Sequence, residues 1–544
     1  MSDFYGKMQQ MQDNVSYTEN GMAGYKTSGK ELVDFNFAIS SYRSDAKKAI
    51  ADLRKVIASG ESHVLKFLFY VRDAREGTGE RDLFRNCLLE LLKADFSDKD
   101  HVVDVIIEQT PEFGRWDDLL PLLDTQYADK VIALFKKTLK DDVAKYKEGK
   151  SISLLAKWLP SETASSKKTR KYSQMVRDAL GASPREYRKT LSLLRAYLDV
   201  TEVKTCANDW GSIDYNAVPS KANIKYRNAF LKHDEKRRRE FLAKLNSGDK
   251  SVKVNMSVTF PHEIVHGYVN RYGSSVQAYN DTLEAYWKAL KPCVGLKDTI
   301  VVRDGSGSMC SAVGNTSVAA LTISSALAVY CSQFLSGTFK DKFITFSDKA
   351  KLIDLSKCGS LHTKLEKMYR EDDWTSTNIE NVFQLILDTA VESELDPLDM
   401  PSTVLIISDM EFNPAVGGRG MNGGSNVFRK MSAEFKQHGY LLPKLAFWNV
   451  NSRTNTIPCR VNDNGVLLIS GFSVNVLKMV MNGETDPYQA LLKELDAERY
   501  AKIPLISFNA SAPKEKKRQP TRKEAAAAPK EAREQDFNPG FLNE

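Results

Sequence analysis

From about residue 31 to 290, apolar positions recur three and four residues apart, the spacing of one face of a helix. "HVLKFLFYVRDAREG" and "RDLFRNCLLELLKAD" show it first. "EFGRWDDLLPLL", "DKVIALFKKTLKDDVAKYK", "SLLAKWLP", "YRKTLSLLRAYLDV" and "YRNAFLKHDEKRRREFLAKL" continue it, with Gly, Pro or Asp between them. Many amphipathic helices on short connectors predict a helical-repeat solenoid, although no fixed period stands out; a compact helical domain is the alternative. Near residue 298 the pattern changes. "DTIVVRD", "DKFITFS", "STVLIISDM", "PKLAFWNV" and "GVLLIS" are short apolar runs rich in β-branched residues, separated by helical stretches at 316–335, 377–391, 425–437 and 473–482. Such alternation predicts a mostly parallel sheet covered on both faces. The predicted layout is an extended polar arm over 1–30, a helical domain over 31–290, an α/β domain over 296–507 and a disordered Ala/Pro/Lys/Glu-rich tail over 508–544.

Composition narrows the picture only a little. A chain of 544 residues exceeds one core and fits two to four domains. Its net charge of +7 is too mild to argue for nucleic acid, so the placement of the charge matters more. The seven cysteines, at 87, 206, 293, 310, 331, 358 and 459, form no CxxC pair and read as reduced thiols of a reducing compartment. There is no apolar run of membrane-spanning length, and "MSDFYGKMQQMQDNVSYTENG" lacks a signal-peptide core, so a soluble cytoplasmic protein is expected.

"DTIVVRDGSGSMCS" ends a predicted strand on Asp304 and sets Ser306 and Ser308 at two-residue steps. "DDWTSTNIENVFQLIL" offers Thr377 at a helix start, with Thr375 as a competitor, and "TVLIISDME" offers Asp409 at another strand end. Two carboxylates and three hydroxyls suit a hard divalent cation, Mg²⁺ or a similar ion, which keeps open positions for water or an outside ligand. Ligands of parallel sheets bind beyond the carboxyl ends of the strands, where both aspartates fall. The bland alternative is Ser and Thr merely capping helices.

These three motifs, in this order, resemble the von Willebrand factor A domain with its metal-ion-dependent adhesion site. The resemblance implies a Rossmann-like α/β domain that holds Mg²⁺ through Asp304, Ser306, Ser308, Thr377 and Asp409. It implies binding rather than catalysis, with a partner's carboxylate filling the open position. Asn378 and Arg303 depart from the usual pattern. The helical region before this domain resembles the Ro autoantigen (TROVE) proteins through "YVRDAREGTGERDLFRNCLLELL" and "EFGRWDDLLPLL". It resembles more closely an uncharacterised sister family of plants and phages, through "TENGMAGYKTSGKELVDFNFAISSYR", "VPSKANIKYRNAFLKHD" and "FPHEIV". The Ro likeness implies HEAT-like helices that close into a ring, with small non-coding or misfolded RNA bound on its basic outside and single-stranded RNA ends admitted into its hole.

Basic clusters interleaved with tyrosines offer matching chemistry, since cations neutralise phosphates and aromatics stack on unpaired bases. Lys167, Lys168, Arg170 and Lys171 sit beside Tyr172; Arg185, Arg188, Lys225, Arg227, Arg237, Arg238 and Arg239 follow. The alternative is a solvated helix face with internal ion pairs. The expectation is therefore a non-enzymatic RNA-binding ribonucleoprotein component. A scaffold, including a phage structural or host-interaction protein, that grips an acidic protein partner through the metal is the second reading. "PHEIVHGYVNRYG" also spells the zinc-protease pattern, His262-Glu263-xx-His266 with Glu284 as a third ligand, which is weighed as a minor alternative. No phosphate-binding GxxxxGK[ST] loop is present. The Gly-rich segment 413–426 is expected to be a mobile loop on the metal face.

Overall fold

A computed structural model describes residues 2–509 apart from 257, 271–274, 293, 294, 297, 373, 416–426 and 460–464. The predicted tail, save its first two residues, and most of the Gly-rich loop lie outside the described residues.

Between Glu31–Phe37 and Asp281–Lys288 the regular elements of the described residues are all helical. Local signals set their limits. Asp45 accepts from the Lys48 N–H to start Ala46–Ala58, and Ser183 with Glu186 forms a capping box ahead of Pro184–Tyr197. The phrases "YVRDAREG" and "EFGRWDD" meet in the core. Asp118, fully buried, accepts from Arg72 Nε and Arg85 Nε, each at 2.7 Å. Gly114 is required there, because a Cβ would lie 2.4 Å from Asp118 Oδ2.

The C-terminal sheet has strands β3 (Thr299–Asp304), β4 (Lys342–Phe346), β5 (Ala350–Asp354), β6 (Thr403–Ser408), β7 (Lys444–Asn449) and β8 (Val466–Ser470). Their order is β5-β4-β3-β6-β7-β8, parallel throughout except for the antiparallel edge strand β5. β5 is the strand the sequence pattern missed; its alternation is interrupted by Lys351 and exposed Leu352. The helix Ala320–Gln333 is apolar nearly all round because it lies between the sheet and the helical region, touching β3 on one side and the short helix Pro261–Val265 on the other. The helices Glu380–Glu392 and Val427–Gln437 cover the other face.

Both expected domain limits fail. The arm is a helix, Ser2–Asp13, followed by a hairpin of β1 (Val15–Tyr17) and β2 (Ala23–Tyr25). Tyr25 exchanges two 2.9 Å backbone hydrogen bonds with Ile457, and Met22 and Tyr25 share a core with Val302 and Phe447. The N-terminal hairpin is thus part of the C-terminal domain, and three-residue strands are too short to show a period. At the other end, residues 487–508 return to the first helices. Arg499 donates to Asp73 at 2.8 Å and to Glu112 at 2.9 Å, Tyr500 stacks on Phe113, and Ile506 N–H donates to Ser62 O. The last helix of the series, Asp281–Lys288, packs on Leu361–Glu371 of the α/β domain. Both ends of the helical series therefore rest on one domain, and the chain closes on itself. No helix among the described residues is long and apolar enough to cross a membrane.

Asp73 has no exposed side-chain surface and depends on Arg499, whose side chain is 19% exposed. Arg499→Met should cost about 2–3 kcal/mol in urea unfolding, below the full value for a wholly buried pair. Arg239→Met, which breaks the exposed pair with Glu235, should leave the midpoint unchanged.

Candidate functional site

β3 and β6 are parallel neighbours with Arg303 opposite Ile407, so Asp304 and Asp409 emerge side by side at the carboxyl edge of the sheet. Asp304 Oδ1 accepts the Ser306 N–H at 2.9 Å, and its Oδ2 accepts the Ser408 hydroxyl at 2.5 Å. The hydroxyls of Ser306 and Ser308 lie 3.1 Å apart. Burial pushes both aspartates up, and the negative charge of Asp304 adds to the effect on Asp409, raised to about 7. Thr377 O accepts from Asn413 N–H, and its hydroxyl accepts from Asn20 Nδ2 at 3.4 Å. Thr375 is engaged elsewhere, with Ser347 and with the Asp348 N–H, which leaves Thr377 the better ligand candidate.

All five predicted metal residues thus come from the end of β3 and from loops at the carboxyl edge of the sheet. Their donors are hard oxygens, and two buried carboxylates with like charges favour a cation between them. Among the described residues no group of three or more His, Cys, Asp or Glu could hold a metal, so any site here rests on the two carboxylates with the hydroxyls. Sequence reasoning missed the neighbours. Arg453 Nη1 lies 3.2 Å from Asp409 Oδ2 and is itself paired with Glu19 at 2.5 Å. Buried Glu411 accepts from the backbone N–H groups of Glu19, Arg453 and Thr454. The arm therefore borders the site, a contact across more than 390 residues of chain that no local pattern signals.

A second feature lies within the closed helical series. A cavity of about 1360 Å³ runs from Tyr42 and Arg43 past Gly114–Arg115 and Lys157–Trp158 to Lys225–Tyr226 and Lys253, reaching Asn315 and Thr316 of the α/β domain. Nine Lys or Arg line it against four Asp or Glu. Glu80 is neutralised by Arg43 and Glu112 by Arg75 and Arg499. Lys157, Lys225 and Lys253 have no carboxylate partner among the described residues. Arg115 sits 4.0 Å over the Trp158 ring, and Lys225 lies 5.0 Å over Tyr226. Trp158 and its cations were read only as part of an amphipathic helix; Lys beside Trp on a four-residue helix was the available signal.

Of the predicted phosphate contacts, Lys225 lines this cavity and the others lie outside it. Lys167, Lys168, Arg170 and Lys171 border a separate recess of about 1310 Å³, where Lys168 and Lys171 are drawn onto Asp124 and Arg170 donates to Ala164 O and Ser165 O. Arg185 and Arg188 are exposed. Arg227 donates to Ile224 O, Arg239 pairs with Glu235, and Arg237 holds the carbonyls of Gly211 and Ile213. Arg238 is a correction. It is fully buried, bonded to Asn223 and packed among Tyr215, Phe230 and Phe241, where no phosphate can reach it. Helical period explains it, since Arg238, Phe241 and Leu242 share the inward face.

The zinc pattern is also corrected. Glu263 caps its own helix through Phe260 N–H and pairs with Lys221, while His262 is buried against Phe260 and Phe472. Glu284 accepts from Leu361 N–H, His362 N–H and the Tyr268 hydroxyl, so it caps the start of Leu361–Glu371 and joins the helical region to the α/β domain.

Lys171, the Tyr172 hydroxyl and Lys168 hold the Asp124 carboxyl down at about 2. Lys168→Met with Lys171→Met should move its midpoint up toward 3.8 in an NMR titration. The same depression means that this contact stabilises the fold above pH 3.8 and is lost as pH falls through about 2.

Two family descriptions match the chain. Residues 162–292 match a domain of unknown function (DUF2828), and residues 298–528 match another (DUF7788). The crystal structure of Deinococcus radiodurans RO (RSR) protein is similar at 13% identity, covering 84% of this chain and all of that one with a TM-score of 0.45; at that level the likeness decides neither fold nor function. An uncharacterized protein, L728 of Acanthamoeba polyphaga mimivirus, is 30% identical over 523 residues, which cover 89% of this chain and 87% of that protein. Similarity along nearly the whole of both chains places them together: the protein belongs to the family of mimivirus L728.

Proposed function

We propose that the protein binds single-stranded RNA in the cavity bordered by its helical region, and that it binds rather than cleaves. The cavity supports this reading most directly. Its unpaired lysines suit the phosphates of a flexible strand, and Trp158 and Tyr226, each beside a cation, suit the faces of unpaired bases. A duplex presents no free base faces along its length. The interior cations thus take the role first given to the outer clusters, whose cations are largely spent on carboxylates and carbonyls.

In the same reading the C-terminal domain is a von Willebrand factor A-like domain. The sheet order with one antiparallel edge and the juxtaposition of Asp304 and Asp409 support it. Asp304, Ser306, Ser308, Thr377 and Asp409 would hold Mg²⁺, which would supply a positive centre for an outside anion. An acidic protein partner at that centre is the second reading, and it leaves the cavity without a role.

Fluorescence anisotropy on the full chain tests the proposal. Trp158→Ala and Tyr226→Ala should each weaken a labelled single-stranded oligoribonucleotide by about 5- to 100-fold. Replacing Lys157, Lys225 and Lys253 by Met should lower the slope of log affinity against log salt by about 2. Equal binding of a duplex, or unchanged affinity in these variants, contradicts it.

A further inference from the structure

The side chain of Arg303, one residue before Asp304, is buried completely, and so is the side chain of Asp372, its ion-pair partner. The pair is bidentate, Nη1 to Oδ1 at 2.6 Å and Nη2 to Oδ2 at 2.9 Å. Nε donates to Ser325, Nη1 also reaches Thr345, and the guanidinium lies over Tyr369. Four contacts, from the helix Ala320–Gln333, the strand β4 and the end of the helix Leu361–Glu371, leave this arginine one geometry. A buried ion pair is seldom more stabilising than two apolar residues of the same volume, so stability alone is a poor reason for one beside a strand end.

Its place in the chain supplies a better reason. Asp372 ends the helix Leu361–Glu371 and opens the loop that leads to Thr377. That loop is fastened to the Asp304–Ser308 loop at successive points. Asp372 lies so close beneath Gly305 that a Cβ there would meet Oδ1 at 2.9 Å, and Gly307 N–H donates to Thr375 O at 3.4 Å. Trp374, with φ of +58°, stacks on Tyr369, the ring that Arg303 also touches. The ion pair is the strongest link in this series, and it adds no net charge.

We propose that Arg303 and Asp372 are a positioning pair. They fix the gap between the loop of Asp304, Ser306 and Ser308 and the loop of Thr377, and so favour Mg²⁺ over the larger Ca²⁺. This rests on the metal reading above. Mg²⁺ demands a near-ideal octahedron at short distances, whereas Ca²⁺ accepts looser and more variable shells. A slackened gap therefore penalises the smaller ion.

Calorimetric titration of the full chain with MgCl₂ and separately with CaCl₂ decides it. Wild type should bind Mg²⁺. Arg303→Met combined with Asp372→Leu, an uncharged replacement of both partners, should weaken Mg²⁺ by roughly 10-fold or more while Ca²⁺ changes by less than about 3-fold. A merely structural role would move both ions together. If the double variant does not fold, Asp372→Glu keeps the charges and lengthens the tether by one methylene, and should show the same selective loss. Unchanged Mg²⁺ affinity, or a parallel loss of both ions, in the variant that folds overturns the pair's role and leaves the metal reading intact. Wild type that binds neither ion overturns the metal reading, and the pair's role with it.

Discussion

The closed form of the molecule depends on Arg499 reaching back more than 400 residues to Asp73. Asp73 has no exposed side-chain surface, and an unpaired carboxylate there would be strongly unfavourable, so the segment around Arg499 must dock for the first helices to settle. Tyr500 on Phe113 and Phe508 on Phe96 add apolar area to the same seam. Glu284 makes the matching seam at the other end of the helical series, where it caps a helix of the α/β domain. With both seams made, the helices border a cavity that opens to solvent, with exposed Lys225 and Lys253 on its wall.

The cations differ in their partners. Outside, Lys168, Lys171 and Arg237 satisfy themselves on Asp124 and on backbone carbonyls. Of the cations that line the cavity, Arg43, Arg72, Arg75, Arg81, Arg115 and Lys221 also have carboxylate partners, while Lys157, Lys225 and Lys253 have none among the described residues. The α/β domain contributes to the wall through Asn315 and Thr316, in the segment that follows the Asp304–Ser308 loop. The two candidate sites therefore share one stretch of chain without sharing a ligand.

Much of this was legible in the sequence. The helical series, five of the six strands of the large sheet and the meeting of Asp304 with Asp409 follow from periodicity and from aspartates at strand ends. What was not legible depends on distance along the chain. The hairpin of residues 15–25 reads as a polar arm, because its partner at 454–457 is invisible to local pattern. Arg238 reads as one more cation in "EKRRRE", although its place on the inward face was available from spacing alone. Lys157 beside Trp158 was visible in the sequence, but Arg115, just ahead of the segment Trp116–Asp124, was not visible as the cation lying on that ring.

Photo-crosslinking a 4-thiouridine-substituted single-stranded oligoribonucleotide to the full chain, with the adducts located by peptide mass spectrometry, tests the central claim most directly. Adducts on Trp158 and Tyr226, or on the peptides carrying them, are the result expected of a strand held inside the closed helical series. Adducts confined to residues 167–171 or 185–188 would place the RNA on the outer surface and contradict it.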